Sequence, residues 1–159
     1  MTTEERIEPL RLAFEVDCEP DHAFMVWTER IGQWWPADHT ASVQPRLQVV
    51  LEGRVGGRIF ERTEEGVEHE WGEVTLWEPP HRFVYLWHLR RDREDATEVE
   101  IRFIPHAAAT RVVIEHRGWE RLGMEEGRTW RDRNMGGWST LLPHYIAAAD
   151  HAPAPAREV

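Results

Sequence analysis

The sequence predicts an α+β fold in which a curved, seven-stranded antiparallel sheet grips one long C-terminal helix, with two short helices after the first strand. Three observations carry that reading. Apolar residues recur with period two over 10–17 and again from 46 to 116, and with helical spacing over 21–31 and 125–149. Strands between 46 and 116 follow one another too closely for crossover connections, which makes the sheet antiparallel. One long helix is the only large element available to cover the apolar face of that sheet. A single helix cannot fill the whole concavity, so an internal cavity is expected.

The first strand is read at 10–17, where Leu10, Leu12, Phe14 and Val16 alternate with polar or small residues. Cys18 to Asp21 breaks it, and Pro20 suits a turn or the first position of a helix. Ala23, Phe24, Trp27 and Ile31 share one helical face, and Gly32 is read as the end of that helix. A second short turn then carries Trp34 and Trp35 up to Pro36.

Leu47, Val49 and Leu51 open the run of strands, and the glycines of 53–58 make a hairpin turn that needs a positive φ. The next strand starts at Ile59. Another covers 68–77 and is closed by Glu78-Pro79-Pro80, which cannot continue a ladder. RFVYLWHL at 82–89 is rich in strand formers. Val99, Ile101 and Phe103, then Val112, Ile114 and His116, mark the last two strands. In the final helix Trp130, Asn134, Trp138, Leu141 and Tyr145 fall within about 80° of one another at 100° per residue. Pro143 removes the hydrogen bond to the Ser139 carbonyl and is expected to kink this helix.

Length and composition fit one domain over residues 1–159, with an ordered core at about 8–148 and flexible termini. No apolar run approaches ~18–20 residues, which excludes a membrane-spanning helix. The acidic, polar start lacks the pattern of a signal peptide, so a cytoplasmic location is expected. A net charge of −10 argues against nucleic acid and anionic membrane as partners. Cys18 is the single cysteine, so no internal disulfide forms. No HExxH string occurs among the nine histidines, and no two of them lie three to five residues apart. Neither a metal nor another cofactor is expected.

Five strings in order are similar to the START-like (SRPBCC) superfamily: VWTERIGQWWP at 26–36, EGRVGGRIFER at 52–62, WGEVTLWEPPHRFVYLWH at 71–88, TRVVIEHRGW at 110–119 and GGWSTLLPHY at 136–145. Within it the chain resembles the group named after the activator of the ninety-kilodalton heat-shock-protein ATPase, over roughly residues 8–148. The resemblance implies the helix-grip fold and a pocket between helix and sheet. Superfamily members bind lipids, hormones and polyketides, and some cyclise or hydrolyse them. The group includes chaperone co-regulators, so a chaperone is a second candidate partner after an apolar small molecule.

Tryptophan supplies nine of the sixteen aromatic residues. Each buried aromatic covers ~150–250 Å², which suits large, rigid cavity walls. Trp35 closes one end of the expected pocket, Trp71, Tyr85 and Trp87 face it from the sheet, and Trp119 gates its mouth. Trp130, Asn134, Trp138 and Tyr145 form the helix face that a ligand touches. His116 shares a strand face with Val112 and Ile114, where it either orients a ligand, moves a proton near neutral pH or is held by a neighbour such as Tyr85. Asn134 is the polar exception in the helix stripe, and a ligand can satisfy its amide.

Three functions are compatible with these features: binding of a hydrophobic or aromatic small molecule, regulation of a chaperone ATPase, and a cyclase- or hydrolase-type enzyme using the same cavity. No nucleophile with its base and no paired carboxylates demand catalysis. Monomer and homodimer are both open, with Trp77 at a strand end as a candidate dimer contact.

Overall fold

A computed structural model describes residues 6–150. In chain order the elements are β1 (Leu10–Val16), α1 (Pro20–Thr28), α2 (Ile31–Trp34), β2 (Gln48–Leu51), β3 (Arg58–Arg62), β4 (Glu68–Glu78), β5 (Arg82–Trp87), β6 (Thr97–His106), β7 (Ala109–Arg117) and α3 (Met124–Asp150). All seven strands join one antiparallel sheet in the order β1-β7-β6-β5-β4-β3-β2. This is the predicted helix-grip architecture. The flexible termini expected beyond about 8–148 fall mostly outside the described residues.

Two boundaries differ from the sequence reading. Gly32 does not end α1, which stops at Thr28; it lies inside α2. A Cβ at Gly32 would approach the Val49 carbonyl oxygen to 2.9 Å, so the glycine lets α2 press on β2. β5 ends at Trp87 rather than Leu89, because residues 88–91 turn with Arg91 N–H donating to the His88 carbonyl at 2.7 Å. Helix α3 continues through Pro143, which is exposed, so the missing hydrogen bond falls on the solvent side.

The inner face of the sheet carries the core. Val99, Ile101 and Phe103 of β6 lie against Val112, Ile114 and His116 of β7, all fully buried. Phe24 of α1 packs edge-on against Phe83 and Phe103 at 5.6 and 5.2 Å. The Tyr145 hydroxyl donates to the Ala23 carbonyl at 2.8 Å and pins α3 to α1. Trp77 is half-buried, with its ring edge-on to Phe24 and Phe83 at 5.1 and 5.8 Å.

The outer face is charged. Arg117 donates to Glu98, Glu100 and Glu115 at 2.6, 2.8 and 2.7 Å, and Arg102 donates to Glu100 at 2.7 Å. Burial pushes the Glu100 pKa up, but the bonds from Arg117 and Arg102 outweigh it and hold the carboxyl down at about 2. Among the described residues, no helix is long and apolar enough to cross a membrane.

Candidate functional site

Between β5, α3 and the segment after α2 lies a cavity of about 310 Å³. Small-molecule sites commonly span roughly 300–1,000 Å³. Its apolar walls are Trp35, Trp87, Leu89, Trp130, Trp138 and Leu141. Gly137 opens the helix side, where a Cβ would meet nothing within 4 Å. Asp38 and His39 stand at one end, in a short turn after α2. His39 bonds Asp38 through Nδ1 at 2.9 Å and Thr140 of α3 through Nε2 at 2.7 Å. That bridge ties the turn to the helix, and hydrogen bonding to His39 holds the Asp38 carboxyl below the usual range.

Five of the ten residues singled out from the sequence line this cavity: Trp35, Trp87, Trp130, Asn134 and Trp138. Trp71, Tyr85, His116, Trp119 and Tyr145 sit behind its wall. Trp119 does not gate a mouth; it is fully buried, its ring 4.1 Å from His116, with Nε1–H donating to the His116 carbonyl. Tyr145 is spent on Ala23, as described above. Asn134 donates its amide to the Trp130 carbonyl one turn back, so the helix itself supplies one partner. The Tyr85 hydroxyl has no protein partner among the described residues, and burial pushes its pKa up.

His116 is an anchor of the wall. The indole N–H of Trp138 donates to its Nδ1 at 3.1 Å, which requires that nitrogen to be unprotonated. Nε2 therefore carries the proton and donates to Thr97 Oγ1 at 2.7 Å, and Thr97 passes a hydrogen bond to the Trp87 carbonyl at 3.3 Å. Both nitrogens are satisfied by protein, and neither is left for a ligand. Complete burial, with Arg91 nearby, holds the imidazole pKa well below its ordinary value. The chain Trp138–His116–Thr97 thus fixes one cavity indole directly and ties it to the backbone of the strand at Trp87.

A second anchor was not read from the sequence. Glu61 of β3 is fully buried and accepts from Ala41 N–H (2.5 Å), Ser42 N–H (3.0 Å), Ser42 Oγ (2.5 Å) and Trp71 Nε1 (2.7 Å). Burial pushes its pKa up, but the Ser42, Ala41 and Trp71 donors win and the carboxyl stays ionised. Trp71 in turn backs Trp35 at 5.1 Å. Its position comes from a bulge: Ile59 pairs with Gly72 and Phe60 with Glu70, leaving Trp71 as the extra residue of β4.

Three arginines complete the rim: Arg90, Arg91 and Arg133. Arg90 holds φ 63°, a conformation costing about 1–2 kcal/mol for a residue with a Cβ, and donates twice to the Thr40 carbonyl. Arg91 donates to the Asp95 and Trp87 carbonyls and stacks 4.8 Å over Trp130, while its buried Nε has no partner. Arg133 lies 5.2 Å over the same ring. Sequence reading missed these cations because the turn at 88–91 and the rim of α3 meet only in three dimensions.

A curled antiparallel sheet closed on a C-terminal helix, with a cavity between them, defines a helix-grip protein. Residues 17–149 match the family described as Activator of Hsp90 ATPase homolog 1-like protein, and the chain belongs to that family. No curated protein matches it. Among solved structures it is similar to the self-sacrificing resistance protein CalC from Micromonospora echinospora, with 26% identity over 90% of this chain and 94% of that one, TM-score 0.65. It is also similar to the anthrahydroquino-gamma-pyrone synthase Txn09, solved in complex with a compound denoted SUM. There the identity is 29% over 96% of this chain and 93% of the other, TM-score 0.54. An AHSA1-like protein from Aeromonas hydrophila shares the fold at 17% identity over 94% of this chain and 99% of that one, TM-score 0.62.

Proposed function

We propose that this protein binds an aromatic or hydrophobic small molecule in the cavity between β5 and α3. One observation carries the reading: four indoles, Trp35, Trp87, Trp130 and Trp138, border a common space of about 310 Å³ that they leave unfilled, although the Trp35 and Trp87 rings touch with centroids 5.9 Å apart. Buried aromatic surface facing a void forfeits dispersion contacts that a flat ligand restores. Trp138 is held in place by His116, and Trp87 by its strand, so the walls are preorganised and lose little freedom on binding.

The test is a fluorescence titration with 1-aminoanthracene, a neutral apolar fluorophore, on the wild type and on Gly137→Leu. A leucine at 137 enters the open space and blocks saturable binding. Equal affinity in both proteins places any binding elsewhere and removes this reading.

A second reading, proton-transfer catalysis of the cyclase type, is favoured by Asp38–His39 at the cavity end and by the likeness to a synthase. His39 would accept one proton from the bound compound through Nε2, once Thr140 turns to the Gly136 or Gly137 carbonyl within 3.3 Å. Loss of conversion in His39→Gln, with binding retained, supports it; conversion at the wild-type rate removes it. Regulation of a chaperone rests on the family's description alone.

A further inference from the structure

We propose that the cavity selects a planar aromatic acid, its anionic group held by Arg91 and Arg133 and its ring placed among the indoles. The proposal rests on the small-molecule reading above and names the class of ligand.

The charge around the cavity is the first ground. The chain carries a net −10, and Arg58, Arg62, Arg82, Arg102 and Arg117 on the sheet are all paired with glutamates. Around the cavity the balance reverses: three guanidiniums face one carboxylate, Asp38, which is hydrogen-bonded to His39. Among the described residues none of the three has a carboxylate within ion-pair distance, and the one carboxylate charge acting on Arg91 is that of Asp95. Arg90 and Arg91 bond only backbone carbonyls, and Arg133 has only the Trp130 ring. In an acidic protein, unpaired cations gathered at one cavity are a site for an anion brought from outside.

The second ground is geometry. Arg91 and Arg133 both lie over the Trp130 ring, at 4.8 and 5.2 Å, so both cations are held at this one aromatic wall of the cavity. Arg91 is braced by two carbonyls and retains an unpartnered, buried Nε. Guanidinium binds a carboxylate in a planar, two-point fashion, and an aryl carboxylate is coplanar with its ring. A ligand ring seated among Trp35, Trp87 and Trp138, with its acid group turned toward Trp130, therefore meets both arginines there.

The third ground is the backbone. Arg90 occupies a left-handed position that glycine or asparagine fills more readily. The arginine there orders the 88–91 turn through its two bonds to the Thr40 carbonyl, and that turn delivers Arg91 to the cavity.

The experiment uses matched pairs that differ only in charge: 2-naphthoate with 2-naphthamide, and anthracene-2-carboxylate with its carboxamide. Affinities are measured by isothermal titration calorimetry at pH 7.5 and low salt, on wild type and Arg133→Gln. Arg133 is exposed and makes no hydrogen bond within the protein, so its replacement spares the fold. The acids are expected to bind about tenfold or more tightly than the amides, the order of one charge-assisted pair. Arg133→Gln should erase most of that preference by lowering acid affinity toward that of the matched amide in the same variant. Equal affinities for acid and amide overturn the acid preference and leave the small-molecule reading standing. Binding of neither member of either pair overturns both.

Discussion

The Trp138 indole N–H donates to His116 Nδ1 across 3.1 Å, and this single bond couples helix α3 to the last strand of the sheet. Both partners are buried, so no water stands ready to replace either one. The bond also sets the imidazole tautomer, and through Thr97 it reaches the strand that carries Trp87. Cavity shape and helix docking are therefore one problem, and variants here read out on stability before they read out on binding.

Trp138→Phe keeps an aromatic ring but deletes the donor, stranding Nδ1 in the core. A destabilisation of about 1–3 kcal/mol is expected, measured by urea unfolding. A change near zero would show that the hydrogen bond contributes nothing to docking.

His116 gives the stability a pH dependence of definite sign. Its folded pKa lies well below 6.5, so the unfolded chain binds the proton more readily. Its contribution is complete above about pH 6.5 and is lost as the pH falls below it, at up to about 1.4 kcal/mol per pH unit. His116→Gln should flatten the slope of unfolding free energy between roughly pH 5 and 6.5. An unchanged slope assigns the titration to other histidines.

Two carboxylates govern the more acidic range. Glu61 and Glu100 are both depressed in the fold, Glu100 to about 2 from 4.5. Their stabilisation is present above the unfolded value near 4.5 and is lost as the pH falls toward the folded one. For Glu100 this amounts to about 3 kcal/mol. Glu61→Ala, which strands the Ala41, Ser42 and Trp71 donors, is expected to cost about 2–4 kcal/mol and to loosen the segment at 40–46. Hydrogen exchange at Ala41 and Ser42 is the direct measurement; protection equal to the wild type counts against the assignment.

Gly136 and Gly137 are neighbours in α3, yet only Gly137 lines the cavity. Gly136→Ala is expected to stabilise the helix by about 0.5–1 kcal/mol and to leave 1-aminoanthracene binding alone. Gly137→Leu should keep the fold at least as stable while blocking the probe. Thermal unfolding and the titration, run together, separate cavity occupation from misfolding.

Much of the fold was legible in the sequence because each element has one dominant period. β1 alternates cleanly with one face inward, and α3 keeps Trp130, Trp138, Leu141 and Tyr145 on one stripe through a proline. Gly32 misled because it reads as a helix end in sequence, whereas here it serves a close approach to β2. The site was legible only in part. The five lining residues read from the sequence lie near the end of α2, on β5 and on α3, where simple periodicity predicts a face well. Trp71 escaped that logic. It is the extra residue of a bulge, where consecutive side chains no longer alternate, and the adjacent Gly72 has no Cβ to collide with the Leu86 carbonyl.

The sequence by itself determined the sheet, the gripping helix and the aromatic character of the space between them, since periodicity and residue volume are local properties. Only the tertiary structure decided which groups face that space. His116 turned out to be bonded to Trp119 behind the wall and to Trp138 in it. Arg90, Arg91 and Arg133 came together from a turn and a helix more than forty residues apart. The physical reason is that hydrogen-bond partners and unpaired charges are set by distances across the chain, which no periodicity encodes.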